Sequence, residues 1–126
     1  MTGGLTLDTG ALIAFERADR FVVSLLSRAL EHGLDLAVPA GVVAQAWRNG
    51  RRQARLARLL GSDRVVVEPL DDRRAREAGQ LCGVTETRDI VDASVVLCAR
   101  SRGHSVATSD VADLRRLDAK LRLIAV

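Results

Sequence analysis

Short apolar segments alternate along this chain with longer segments whose apolar residues recur at helical spacing. Five of the short segments are predicted to be strands: 5–8 (LTLD), 34–38 (LDLAV), 64–68 (RVVVE), 104–108 (HSVAT) and 121–126 (LRLIAV). Strands that alternate with helices pair in parallel, and helices then cover both faces of the sheet. The alternation therefore predicts a three-layer α/β/α domain with a central, mostly parallel sheet of about five strands.

The intervening segments carry the signals of helix ends. Residues 20–33 place their apolar side chains on one helical face and end at Gly33, a residue typical of helix C-termini. Pro39 is predicted to open a helix that Asn49 and Gly50 interrupt. The predicted helices are 9–16, 20–33, 39–48, 51–60, 71–83, 89–102 and 110–118. Because no linker, repeat or low-complexity segment separates these elements, residues 1–126 are predicted to form a single domain.

Composition narrows the class of protein. Hydrophobic residues make up 48% of the chain, which indicates a globular protein rather than a disordered one. The uncharged runs are far shorter than the roughly 20 residues of a membrane span, and the start MTGGLTLD lacks the pattern of a signal peptide. Cys82 and Cys98 have no metal-type spacing, so they are predicted to be reduced thiols packed in the core. We therefore expect a cytoplasmic protein without a membrane partner.

Four aspartates stand at positions that a parallel sheet brings together. Asp8 closes the first predicted strand, and Asp110 follows the fourth. Open parallel sheets bind ligands outside the carboxyl ends of their strands, so both residues are predicted at the ligand edge. Asp89 and Asp92 stand three residues apart at the start of a helix and share one of its faces. The alternative is that these acids only cap helices, since aspartate is favoured at helix N-termini.

Several carboxylates in one crevice repel each other and raise each other's pKa values. A divalent cation removes this conflict, and oxygen ligands without histidine or cysteine suit Mg²⁺ or Mn²⁺ rather than zinc. Such a metal can activate a water molecule and neutralise the charge that develops on a phosphate during in-line displacement. The acids together therefore predict a metal site.

Four motifs in order resemble the PIN-domain family and, more narrowly, VapC-type toxins of bacterial toxin–antitoxin pairs. The motifs are LTLDTGALIAFE, VPAGVVAQAWRNG, RDIVDASVVLCAR and VATSDVADL, which together span nearly the whole chain. The resemblance implies a PIN-like α/β/α fold and a Mg²⁺- or Mn²⁺-dependent endoribonuclease. It also implies a protein that is commonly a homodimer and that a small cognate antitoxin inhibits.

The resemblance also assigns roles to residues. By motif match, Asp8, Asp92 and Asp110 are the catalytic acids and metal ligands, and Asp89 is a further metal-site acid. The remaining accessory residues of the pocket are Asp113, with Thr9 and Ser109 as small hydroxyls beside an acid.

One position departs from the family pattern. The family's second acid, usually glutamate, corresponds here to Gln45. Its amide oxygen can accept a hydrogen bond or ligate a metal weakly, but it carries no charge. Asp89 is the best candidate to restore the missing charge. The alternative is that Gln45 is a polar residue on the flank of a helix.

A basic segment follows Gln45 in the sequence. The segment RNGRRQARLAR, 48–58, has five arginines and no acid, and 18 of the chain's 19 basic residues are arginine. Arg48, Arg52 and Arg55 recur at helical spacing, as do Arg51, Arg55 and Arg58. They form either a solvated helix face or a track for the RNA backbone. Base stacking is not expected, because the chain has only three aromatic residues.

Two other functions remain open besides the ribonuclease toxin. A PIN-like module with weakened catalysis could bind RNA or a partner protein, and Gln45 is the main support for it. A response-regulator-like phosphoacceptor domain also gathers acids at strand ends. That function needs an aspartate at the end of the central strand and a lysine after the last helix, where the chain offers Glu68–Pro69 and Lys120.

Overall fold

The computed structural model describes residues 3–126, and its central feature is a sheet of five strands. The strands are β1 (Gly4–Leu7), β2 (Asp35–Pro39), β3 (Val65–Glu68), β4 (Ser105–Thr108) and β5 (Leu123–Ala125). They lie in the order β3-β2-β1-β4-β5, and every neighbouring pair is parallel. The predicted parallel α/β sheet is confirmed.

Helices cover both faces of this sheet. They are α1 (Thr9–Glu16), α2 (Arg20–Glu31), α3 (Ala40–Ala46), α4 (Ala54–Leu60), α5 (Asp72–Thr85), α6 (Ile90–Arg102) and α7 (Val111–Leu117). α1 packs against α2, α3 and α4, whereas α6 packs against α5 and α7. These two groups are the outer layers of a three-layer α/β/α domain.

The core explains why the segment after Asp92 has no charge until Arg100. Within α6, Val95, Val96, Cys98 and Ala99 are buried on the side of the sheet, and Ala93 is buried against α5. A helix with so broad a buried surface has no solvated flank on which a charge could lie. Cys82 and Cys98 are buried and free, as predicted.

The strand order places a topological switch between β1 and β4. From β1 the chain proceeds to β2 on one side, and from β4 it proceeds to β5 on the other. Their carboxyl ends therefore border the crevice where open α/β sheets bind ligands. Asp8 follows β1 and Asp110 lies two residues after the end of β4, so both stand at this crevice.

Two local predictions differ from the structure. The predicted helix 51–60 is interrupted, because a 3₁₀ turn (Gly50–Arg52) and the non-helical Gln53 precede α4. Pro39 ends β2 and is also the N-cap of α3, so this helix begins one residue later than predicted. His104 is buried with 7% exposure, and its Nδ1 lies 3.1 Å from the Thr6 hydroxyl.

Across residues 3–126, no helix combines the length and the apolar character needed to cross a membrane.

Candidate active site

Three carboxylates meet at the switch point. Asp92 lies in the first turn of α6, Asp110 at the N-cap of α7, and Asp113 in the first turn of α7. Each offers an oxygen within 4.8 Å of the others. We refer to these three residues as the acid cluster.

Asp89 and Asp110 are both N-cap residues, but they differ in whether the side chain bonds to its helix. The Asp89 carboxylate accepts a hydrogen bond from the Asp92 backbone N–H at 2.9 Å, so it caps α6. In the part of the chain that the structure describes, Asp110 makes no such bond to α7. The capping alternative therefore applies to Asp89 and to one oxygen of Asp8, which caps α1, but leaves Asp110 free to face the cluster.

Asp8 lies behind the cluster with 4% exposure. One of its carboxylate oxygens accepts from the Ala11 N–H at 2.8 Å and the other from the Ser109 N–H at 3.2 Å. The buried Thr108 hydroxyl also donates to Asp8, and it accepts from the Asp110 N–H at 2.8 Å. These contacts hold Asp8 in one orientation and tie it to the loop that carries Asp110.

The close approach of this loop depends on Gly10. A Cβ at Gly10 would lie 1.9 Å from the Ser109 hydroxyl oxygen and 3.5 Å from an Asp8 oxygen. Glycine is the residue that leaves room for Ser109 to reach Asp8.

Electrostatics show how crowded the acids are. The pKa of Asp92 is raised to about 7, mainly by burial and then by the neighbouring carboxylates of Asp89, Asp110, Asp113 and Asp8, in that order. Burial also raises the pKa of Asp8, against the opposing effect of its hydrogen bonds. The acids at this edge therefore repel one another, and a bound cation would relieve that repulsion.

Gln45 is hydrogen-bonded to Thr9, the residue that follows Asp8. The Thr9 hydroxyl donates to the Gln45 Oε1 at 2.5 Å and joins α1 to α3. Gln45 therefore faces the start of α1, where the resemblance expects an acid, but it brings a neutral amide.

The basic segment does not form one helical stripe. Arg48 follows α3 and donates to the Ala44 and Trp47 carbonyls at 3.0 and 2.8 Å, whereas Arg51 and Arg52 lie in the 3₁₀ turn. Arg48 and Arg55 therefore lie on opposite sides of the interruption predicted at Asn49 and Gly50, and the non-helical Gln53 separates Arg52 from Arg55 as well.

The structure instead forms an arginine cleft beside Gln45. Its wall includes Arg17, Arg48, Arg52, Asn49 and Gln45, whereas Arg51, Arg55 and Arg58 lie outside that wall. Arg17, at the C-terminus of α1, was not singled out in the sequence because it lies 31 residues before Arg48.

Gln53 organises this cleft and was also missed in the sequence. It has 6% exposure, and its Oε1 accepts from the Arg48 and Asn49 N–H groups at 2.8 and 2.9 Å. Its Nε2 donates to the Ala46 carbonyl at 2.9 Å and to a Glu16 oxygen at 3.1 Å. In the sequence Gln53 is only one of two uncharged polar residues, with Asn49, among the five arginines of 48–58.

The acid cluster fits a hard divalent cation. Its ligand atoms are all carboxylate oxygens, they converge within 4.8 Å, and Asp8 adds a buried carboxylate next to them. Mg²⁺ and Mn²⁺ favour such donors. The fold and the site thus define a parallel α/β domain with an acidic centre at its switch point.

The chain belongs to the PIN-domain family. The family model described as "PIN domain" matches residues 5–120, which include all the acids discussed above. No curated protein sequence matches the chain.

Solved structures of the same fold are similar along their whole length. VapBC2 from Rickettsia felis, bound to a DNA fragment from its promoter, has 16% identity, coverage of 97% of this chain and 98% of that chain, and a TM-score of 0.71. VapC20 from Mycobacterium tuberculosis, a toxin that cleaves the sarcin–ricin loop, has 17% identity, 98% coverage of both chains and a TM-score of 0.67. FitAcB from Neisseria gonorrhoeae has 19% identity, coverage of 95% and 96%, and a TM-score of 0.64.

Proposed function

We propose that this PIN domain is a Mg²⁺- or Mn²⁺-dependent endoribonuclease and the toxin of a toxin–antitoxin pair. The observation that carries this proposal is the acid cluster at the switch point, with buried Asp8 behind it. Asp92, Asp110 and Asp113 would hold the metal, and Asp8 would complete the set. Asp89 remains a candidate for an outer carboxylate, because it caps α6 beside Asp92.

The metal, when bound, would supply an activated water and would stabilise negative charge on the phosphate. The chain's own residues prepare the site. The backbone N–H groups of Ala11 and Ser109 fix both oxygens of Asp8, so its orientation needs no rearrangement. Thr9 holds Gln45 against the start of α1. The guanidinium groups of the arginine cleft would neutralise the RNA backbone on this side of the site.

RNA as the substrate agrees with the described activity of VapC20, a toxin that cleaves the sarcin–ricin loop. We further propose a cytoplasmic homodimer that a cognate antitoxin inhibits. Large apolar side chains are available for such contacts, since Phe21 is 54% exposed and Val84 is 84% exposed.

Gln45 favours a second candidate, a PIN module that binds RNA without cutting it. A neutral amide at this position reduces the charge available to a metal. The phosphoacceptor function has less support, since Glu68 ends the edge strand β3 and Lys120 lies in a separate cavity with Arg100 and Arg122.

The melting temperature with and without Mn²⁺ tests the site. A ligand at about 100 times its Kd stabilises the folded state by about 2.7 kcal/mol, so we expect the wild type to melt several degrees higher in saturating Mn²⁺. The double variant Asp8→Asn, Asp92→Asn should lose this response together with Mn²⁺-dependent cleavage of a generic RNA.

Asp63→Asn, at an exposed loop position, is the matched control and should respond as the wild type does. An unchanged wild-type melting curve in saturating Mn²⁺ contradicts the metal site. A metal response without cleavage of any RNA supports the binding module instead.

A further inference from the structure

A cavity of about 320 Å³ lies directly beside the acid cluster, between the loop from α5 to α6 and helix α7. Asp92 and Asp113 line this cavity and also belong to the cluster. Its other walls are lined by Glu86, Thr87, Arg88, Asp89, Arg116 and Leu117, and we refer to it as the side cavity. A ligand there would lie in contact with the acids that are proposed to hold the metal.

Two guanidinium groups line the side cavity without a partner. Within residues 3–126, Arg88 and Arg116 make no ion pair, although Asp92 and Asp113 line the same space. Arg100, on α6, is paired by contrast with Asp118 at 3.0 Å. An unpaired guanidinium keeps its planar set of donors, which matches the oxygens of a phosphate.

Glu86 has an unusual backbone for its residue type. It ends α5 in the left-handed region, with φ 56° and ψ 42°, where glycine or asparagine is typical. A strained residue of this kind is often found at a functional site. Glu86 lines the side cavity, and its carboxylate carries two acceptor oxygens.

We propose that the side cavity binds the nucleotide next to the scissile phosphate of the RNA and selects guanine. This inference rests on the proposed ribonuclease function. Arg88 and Arg116 hold the phosphate of that nucleotide, because both line one small cavity. Leu117 provides an apolar wall for the base.

Glu86 selects the base through the geometry of its carboxylate. Guanine carries two adjacent N–H donors, N1–H and the N2 amine, on its Watson–Crick edge, and single-stranded RNA exposes that edge. Two parallel oxygens match two parallel donors. Adenine, cytosine and uracil each offer a single donor position there, so the carboxylate binds them less well.

Titration of the protein with each of the four ribonucleoside 5′-monophosphates in the presence of Mg²⁺ tests the proposal. We expect wild type to bind GMP about tenfold more tightly than AMP, CMP or UMP, as one bidentate contact allows. Arg88→Ala and Arg116→Ala should each weaken all four nucleotides by about tenfold, because phosphate contacts carry no base preference.

Glu86→Gln should abolish the preference for GMP and leave the other three affinities nearly unchanged. Arg88→Lys keeps the positive charge but loses the planar set of N–H donors. We therefore expect it to bind the nucleotides with an affinity between those of wild type and Arg88→Ala. Arg73→Ala, on α5 with an 88% exposed side chain, is the matched control and should behave as the wild type does. The melting temperature of each variant shows that it is folded.

GMP affinity that is the same in wild type, Arg88→Ala and Arg116→Ala would overturn the proposal. A GMP preference that survives Glu86→Gln would overturn the assignment of the base contact. If the nucleotides bind as expected but no RNA is cut in Mn²⁺, the ribonuclease fails and the nucleotide site stands. If RNA is cut but both arginine variants cut it at the wild-type rate, the nucleotide site alone fails.

Discussion

Replacement of Gln53 by leucine tests whether the loop that carries the arginine cleft is held by a single side chain. Gln53 is 6% exposed and makes four hydrogen bonds of 2.8–3.1 Å, two accepted and two donated. Leucine has a similar volume and makes none of them. The substitution therefore removes the bonds without creating a large cavity.

The expected loss of stability follows from these bonds. Each hydrogen bond contributes about 0.5–1.5 kcal/mol net, so four contribute about 2–6 kcal/mol. Arg48 and Asn49 are exposed, so water can replace the bonds to their N–H groups, and we expect the lower half of that range. A loss of about 2–4 kcal/mol is a large part of the roughly 5–15 kcal/mol that a domain of this kind has in total.

Urea denaturation and RNA binding at several salt concentrations measure the two consequences. We expect Gln53→Leu to unfold at lower urea and to bind RNA more weakly, with a shallower dependence on salt, because Arg48 and Arg52 lose their fixed positions. Gln53→Glu separates the two sides of the residue. It keeps the accepted bonds but loses the donated ones and places a buried carboxylate against Glu16 and the Ala46 carbonyl, so we expect a loss of stability at least as large, with the bonds to the loop N–H groups retained.

Gln80→Leu, at an exposed position of α5, is the control and should change neither measurement. Stability of Gln53→Leu within about 0.5 kcal/mol of wild type would refute the argument, because four buried bonds could not then hold the loop. A large loss of stability with an unchanged salt dependence would show that the loop does not position the arginines.

Two further predictions concern the acids. The pKa of Asp92 is raised from 3.8 to about 7 in the folded protein, so in chelator its unfolded form releases the proton first and stability falls as pH rises from about 4 to about 7. The full shift corresponds to about 4 kcal/mol, which solvent near this half-buried group reduces to about 1–2 kcal/mol. Urea titrations across that pH range should show a shallower fall for Asp92→Asn, and equal slopes would contradict the crowding. Gln45→Glu should raise Mn²⁺ affinity and RNA cleavage, yet lower the melting temperature in chelator because it adds a like charge; no change in either condition would place Gln45 outside the site.

The arginines illustrate the limit of sequence periodicity. The spacing of Arg48, Arg52 and Arg55 satisfies a helix, but the backbone is not continuous there. The break begins before Gly50, as predicted, and Gln53 extends it, because its side chain accepts from the N–H groups of the preceding loop and donates to Glu16 of α1. Glu16 is 37 residues away in sequence, so local propensity carries no information about this contact.

The sequence by itself determined the class of fold and the edge at which the acids lie. Apolar segments that alternate with helical ones specify a parallel α/β sheet, and a residue that follows a parallel strand must stand at its carboxyl edge. Asp8 and Asp110 were therefore placed without knowledge of the strand order. This inference needs only the direction of each strand, and the local sequence is enough to define it.

Only the tertiary structure decided which side chains meet. The order β3-β2-β1-β4-β5 makes β1 and β4 neighbours although about 100 residues separate Asp8 from Ser109, and the Ser109 N–H then reaches the Asp8 carboxylate. The same packing of α6 against α7 groups Asp113 with Asp92, whereas Asp89 is occupied with capping its own helix. Such groupings depend on how helices pack across the sheet, and that packing is a sum of many contacts between segments far apart in sequence.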